Sequence, residues 1–383
     1  MADRLRWVAL AGLILAAIVS LAPQWRSLEE MGERRAATLA DPPEEVLVGV
    51  SWPFARRRDG MEDGLRLAQD EINQGGLAGG RPIRLDLRDD SGTWAEARRI
   101  ALDFADTPTM SAVIGYDDIR LARRAAPILA RSRLLHLFVW PGNPDPVAGE
   151  GGYAIRTAPS QTAFARGLAV AASRGEAPLR LALLWDEDGP GKELVAAFLI
   201  AQSGQSGQGG RAVWQWPYLS GRADFRVPAE RLRTIEADLI VIAGPTSDIA
   251  DFLRRAEQAG VSVPILVAAA PSNRLTTLAG SALERVIVPQ FYDATAPFAA
   301  NCDFVARFRA RFGTDPDEAA AQGYDALRLL AEAIRLTGSA EPLELAFALR
   351  RMQGWEGAAG LYRFDRVGEV QDRLPRLVPA SGG

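Results

Sequence analysis

The feature that most limits what this chain can fold into is a regular alternation of short apolar runs with amphipathic helices, first seen whole between Val46 and Asp90. VLVGVSW (Val46–Trp52) is a short apolar run with β-branched residues, which suits a strand buried on both faces. After it, Met61, Leu65, Ala68 and Ile72 recur every three or four residues and predict a helix with one apolar stripe. Asn73 and Gln74 end that helix, and Gly75 and Gly76 are available for the left-handed backbone that closes helices. IRLDLRD (Ile83–Asp89) then alternates as a second strand. Strand, helix and strand in one short stretch make a parallel crossover unit, which is right-handed in nearly all proteins.

The same rhythm continues. A helical pattern runs through Ala97, Ile100, Ala101 and Phe104, followed by a strand in SAVIGY (Ser111–Tyr116). Another helix lies around Leu121 to Leu129, and LLHLFVW (Leu134–Trp140) is the next strand. A second α/β set has strands in LALLWD (Leu181–Asp186), ADLIVIAG (Ala237–Gly244) and PILVAA (Pro264–Ala269). Helices at Lys192–Ala201 and around Ile249, Phe252, Leu253 and Ala256 separate them. Gln202 to Gly210 is a low-complexity surface loop. Such alternation requires doubly wound α/β lobes.

The spacing of Gly64, Ala68, Glu71-Ile72-Asn73, Gly75-Gly76, Gly79 and Asp89-Asp90 resembles the opening of the branched-chain amino-acid-binding (Leu/Ile/Val-binding-like) family. Later segments agree: the VIG turn, Ala126–Leu129, the helix containing Tyr324-Asp325-Ala326, and Gly360, Phe364-Asp365 and Gly368. The likeness spans Val46 to Val370. It implies a type I periplasmic-binding fold, two Rossmann-like lobes joined by three crossovers, preceded here by an N-terminal membrane segment. The expected divisions are a signal peptide or anchor at 1–25 and a linker, or a short helix, at 26–45. Lobe 1 is expected over 46–156 plus 289–345, lobe 2 over 157–288 plus 346–374, and a tail over 375–383. The resemblance further implies an extracytoplasmic solute-binding protein of an ABC importer, partnered by an inner-membrane permease. The alternative is a receptor of the same fold that senses a ligand and signals to a partner protein.

The N-terminus supports export. Arg4 and Arg6 precede an apolar run from Trp7 to Ala22, with Pro23 and Trp25 after it. Positive charge ahead of such a run predicts a cytoplasmic N-terminus and an exported remainder. Pro23 beside the only small-residue cleavage candidates favours an uncleaved anchor over a removed signal. The periplasm is therefore the expected location, with a tether to the inner membrane.

Chemistry-bearing residues are few. With one histidine and one cysteine, the usual zinc sets cannot be assembled, and His136 sits within an apolar strand, where a core role is expected. DEDGPGKE (Asp186–Glu193) and GGLAGG (Gly75–Gly80) both lack the spacing of nucleotide loops. A net charge of −4 argues against nucleic acid as partner. No enzyme, cofactor or metal is expected.

A receptor of this kind needs two sets of strand carboxyl ends facing one crevice. The candidates at those ends are Trp52, Tyr116, Asp117, Trp140 and Asn143 in the first lobe. Those of the second are Asp186, Pro245, Thr246 and Ser272, with Tyr292 near the return crossing. Asp118 precedes a helix and is expected to cap it. Where the resemblance implies Ser and Thr hydroxyls for an amino-acid carboxylate, this chain has YDDIR (Tyr116–Arg120) and VWPGNPD (Val139–Asp145). A free amino acid is thus not clearly the ligand. Trp52 and Trp140 facing each other beside Asp117 would favour a cation or a flat molecule. Arg56 to Arg58 would instead favour an anion, and the sign of the ligand's charge stays open.

Overall fold

The structure is a computed structural model that describes residues 28–41, 43–76, 80–145, 150–173, 178–204, 209–269 and 273–380. The predicted membrane segment at 1–25 lies outside the described residues. Among the described residues no helix is long and apolar enough to cross a membrane.

The first lobe is a five-stranded parallel sheet in the order β2-β1-β3-β4-β5. Its strands are β1 (Val46–Trp52), β2 (Ile83–Asp89), β3 (Met110–Ile114), β4 (Leu135–Phe138) and β5 (Ala154–Arg156). Every residue of β1, β3, β4 and β5 is buried, which explains their largely apolar sequence, broken only by the buried Ser51, Ser111, His136 and Arg156. On one face lie α4 (Trp94–Asp106) and α5 (Ile119–Arg131), packed against Leu47 and Val113. The other face carries α3 (Met61–Gly75), α11 (Ala299–Phe312), α12 (Glu318–Thr337) and α13 (Pro342–Arg351), against Val46, Val48 and Val50. Helices α3 and α12 touch at Gly64, where a Cβ would come within 2.0 Å of the Ala320 carbonyl oxygen. That close approach offsets the helix propensity lost by a glycine in mid-helix, about 1 kcal/mol.

The second lobe has six strands in the order β13-β10-β9-β8-β6-β7. They are β6 (Arg180–Asp186), β7 (Arg211–Tyr218), β8 (Leu239–Ala243), β9 (Ile265–Val267), β10 (Val286–Gln290) and β13 (Arg376–Pro379). Only β13 runs antiparallel, pairing with β10 at one edge. On one face are α6 (Gln161–Ala172) and α7 (Pro190–Ser203). On the other are α8 (Arg226–Leu232), α9 (Thr246–Gln258) and α10 (Asn273–Ala279). The small hairpin of β11 (Gln353–Gly357) and β12 (Gly360–Arg363) packs on the first lobe.

Two boundaries drawn from sequence are corrected. The stretch at 26–45, read as a linker or short helix, contains a helix, α1 (residues 28–39), docked on the first lobe. Its buried Arg35 donates to the carbonyls of Phe104, Ala105 and Thr107 at the end of α4, and to those of Met110 and Ser132. Residues 346–374, assigned to lobe 2, place Leu349, Met352, Tyr362 and Phe364 in the first lobe's core. The supposed tail at 375–383 supplies β13 to the second lobe's sheet.

The chain crosses between lobes after β5, after β10 and before β13. Two of these crossings meet at Glu369, whose Oε1 accepts from the Ser160 amide at 2.7 Å. Its other oxygen lies 3.8 Å from the buried Arg156, which also pairs with Glu150 at 2.6 Å. Burial pushes the Glu369 carboxyl up to about 7, against the pull of the Ser160 amide and Arg156.

Candidate functional site

A cleft of about 430 Å³ opens between the lobes where the carboxyl ends of both sheets face each other. The first-lobe wall comes from the loop after β1 (Arg56, Arg57, Asp59), the β3–α5 turn (Asp117, Asp118, Arg120) and the segment after β4 (Trp140, Pro141, Gly142). Asp317 and Glu318 at the start of α12 complete it. The second-lobe wall comes from Gln161 and Phe164 of α6, from Asp186, Pro190, Gly191 and Leu194, from Gly244 through Ser247, and from Ala268, Ala269 and Arg274.

Of the residues expected from sequence, Asp117, Trp140, Asp186, Pro245 and Thr246 line this cleft. Four others do not. Trp52 is fully buried, with its indole N–H donating to Asp59 Oδ1 at 3.1 Å. Tyr116 is buried in the core beneath α5, edge-on to His136. Asn143 is buried at the first crossing, where its carbonyl accepts from the Gln161 amide at 2.7 Å. Tyr292 packs on Phe304 in the first lobe's core. All four follow strands or crossings whose side chains alternate in direction, so nearness in sequence to a strand end did not place them in the cleft. Ser272 lies outside the described residues.

The expected sandwich of Trp52 and Trp140 around a ligand is also corrected. The two rings meet edge to face with centroids 5.5 Å apart, and the guanidinium of Arg57 lies over Trp140. Arg57 comes from α2 (Phe54–Arg57), a single turn that folds back over the end of β1. Its Nε donates to Asp59 at 2.5 Å, and its Nη1 stands 3.6 Å from Asp117.

Asp118 caps α5 by accepting from the Arg120 amide at 2.8 Å, as its position predicts. Burial works to raise its carboxyl, but the hydrogen-bonded Arg120 guanidinium at 2.6 Å holds it below the usual range. Asp117 has no such help: burial pushes it up to about 6 despite Arg57, and its Oδ1 is buried with no hydrogen-bond partner among the described residues. Burial likewise pushes Asp186 up to about 6, although its Oδ1 accepts from the Gly191 amide at 2.7 Å at the start of α7. A Cβ at Gly191 would lie 2.1 Å from that oxygen, which explains the glycine. Helix α9 opens at Pro245 without any side chain capping its first amides. Glu318, pushed up to about 7 by burial, accepts from the Phe291 amide at 3.3 Å. Across the mouth, Arg123 of α5 pairs with Glu193 of α7 at 2.7 Å and joins the two rims.

His136 is a buried core residue whose Nε2 donates to the Gly115 carbonyl at 3.1 Å. Burial lowers it to about 3, so it is neutral at physiological pH. The cleft residues that sequence reasoning did not name include Asp59, Gln161, Arg274, Asp317 and Glu318, while Arg57 and Arg120 were named only within the runs Arg56–Arg58 and Tyr116–Arg120. The Arg56–Arg58 run was the one signal for Arg57. Nothing in the local sequence marked Asp317 or Glu318, which arrive from the far end of the chain.

Residues 46–373 match the periplasmic binding protein family. The chain belongs to that family. This periplasmic binding protein is 22% identical over 349 residues to the Leu/Ile/Val-binding protein homolog 8 of Brucella melitensis biotype 1, covering 84% of this chain and 83% of that one. It is 30% identical to an ABC transporter substrate-binding protein from Desulfitobacterium hafniense solved in complex with Leu. That match covers 86% of this chain and 96% of the other, with a TM-score of 0.73. A solute-binding protein of an ABC transporter from Rhodopseudomonas palustris BisB5, solved with 3,4-dihydroxy benzoic acid, shares the fold. There the identity is 21%, the TM-score 0.67, and the coverage 84% of this chain and 89% of that one. The periplasmic binding protein described here therefore has the type I fold of the solute-binding proteins of ABC transporters, and its family implies an extracytoplasmic location.

Proposed function

We propose that this protein captures a small carboxylate-bearing solute in the interlobe cleft and, once closed, presents it to an ABC permease of the inner membrane. No covalent chemistry is involved. The observation that carries the reading is the start of α9, where Pro245, Thr246 and Ser247 line the cleft and no side chain caps the helix. Unsatisfied amides and the positive end of the helix dipole together favour an anion. The two complexed relatives described above hold Leu and 3,4-dihydroxy benzoic acid, which both carry a carboxylate. Residues 1–25 serve as the export segment and, uncleaved, as a tether.

The test is a thermal-shift series with the purified chain and paired probes that differ in the carboxylate. L-leucine is set against leucinamide, 3,4-dihydroxybenzoate against its amide, and tetramethylammonium serves as a cation control. An acid at a hundred times its Kd is expected to stabilise by about 2.7 kcal/mol, and its amide far less. A response to amides or to the cation, with none to the acids, would overturn the carboxylate reading.

A further inference from the structure

The cleft already contains a cation of its own. The guanidinium carbon of Arg57 lies 4.2 Å from the centroid of the Trp140 ring and 5.3 Å from that of Trp52. Asp59 ties the group down from both sides: one oxygen takes the Trp52 indole N–H at 3.1 Å, the other takes Arg57 Nε at 2.5 Å. The second carboxylate, Asp117, stands 3.6 Å from Nη1. Two indoles and two carboxylates around one positive charge is the arrangement that recognises cationic ligands. Here the occupant is supplied in cis, from the turn that follows β1.

What the cleft presents is thereby reversed. The Asp59 and Asp117 side chains are only 6% and 7% exposed, whereas Arg57 keeps 16% of its side chain open to the cleft. Among the described residues Nε is the only side-chain nitrogen of Arg57 that donates a hydrogen bond. The fork is thus held in place by stacking, by Asp59 at Nε and by the Asp117 ion pair at Nη1, with its outer Nη donors left to meet an anion.

We propose that Arg57 is a built-in cation that fills an aromatic-acidic cage and turns it into the anion-reading wall of the cleft, so that Arg57 sets the class of solute taken. The inference rests on the reading of this cleft as the solute site. Its test replaces Arg57 in the full chain and measures two bindings by calorimetry. The carboxylate probe is whichever of L-leucine or 3,4-dihydroxybenzoate stabilises the wild type more; the cation probe is methylguanidinium. Arg57→Ala is expected to bind the acid at least tenfold more weakly and to acquire a saturable methylguanidinium site that the wild type lacks. Arg57→Met, which keeps the packing on Trp140, is expected to lose the acid and gain no cation, and it serves should the alanine variant fail to fold. Unchanged affinity for the acid in either variant would overturn the proposal, as would a folded alanine variant with no methylguanidinium response. Should neither acid bind the wild type, the carboxylate reading fails by itself, and the methylguanidinium titration still decides whether Arg57 occupies a cation cage.

Discussion

At Glu369 one carboxyl group couples the hinge to pH. Its folded value of about 7 lies above the usual glutamate range near 4.3, so the folded state binds the proton more tightly than the unfolded chain. The stability tied to that proton is complete below about pH 4 and is lost as pH rises through about 7. Glutamine imitates the protonated form and keeps an acceptor for the Ser160 amide. Glu369→Gln is therefore expected to gain on the wild type by about 1–3 kcal/mol between pH 4.5 and 7.5. Urea midpoints at the two pH values check this; a constant difference would remove Glu369 from the account. Residues were the least legible level of the sequence. Trp140 and Asp117 were candidates because each lies just beyond the end of a buried strand, a ground that pointed equally to Tyr116, which turns into the core. That Trp52 would turn inward and Arg57 would cover Trp140 depends on one helical turn, Phe54–Arg57, too short to leave a periodic signal.

Among elements, the strands buried on both faces were legible because such strands are apolar at most positions. Strand β13 was not, and helix α1 was legible only as one of two readings of its stretch. β13 is only four residues long and sits half-exposed on an edge, so its sequence need not alternate. α1 holds on through Arg35, whose partners are backbone carbonyls with no sequence of their own. Burial lowers the Arg35 guanidinium only to about 10, so it stays charged and each carbonyl meets a cationic donor. Arg35→Ala is expected to cost about 1–3 kcal/mol and to release the helix. Hydrogen exchange should show residues 28–39 protected in the wild type and open in the variant. Equal protection in both would mean that apolar contacts from Leu28 and Leu39 suffice to dock the helix.

For the molecule as a whole, the quantity that matters is the balance between open and closed lobes. Arg123 and Glu193 are each about half-exposed, so their pairing across the cleft mouth is worth only about 0.2–1 kcal/mol. Removing it shifts the ligand-free balance by a factor of about five at most, leaving a bound solute free to close the lobes. Arg123→Ala is thus expected to raise the ligand-free radius of gyration in small-angle scattering, with ligand restoring the wild-type value. An unchanged ligand-free radius would show that the pair does not restrain opening. The architecture was legible from end to end because it rests on repeated crossover units; the return of the last hundred residues to the first lobe was only partly so. That return has a consequence for how the protein is made. The core of the first lobe waits for α11 to α13, and the β10 edge of the second waits for residues 376–379. A ribosome working from the N-terminus therefore releases no finished half along the way. Until the final strand emerges, a bare row of amides and carbonyls stays open to pairing with a neighbouring chain.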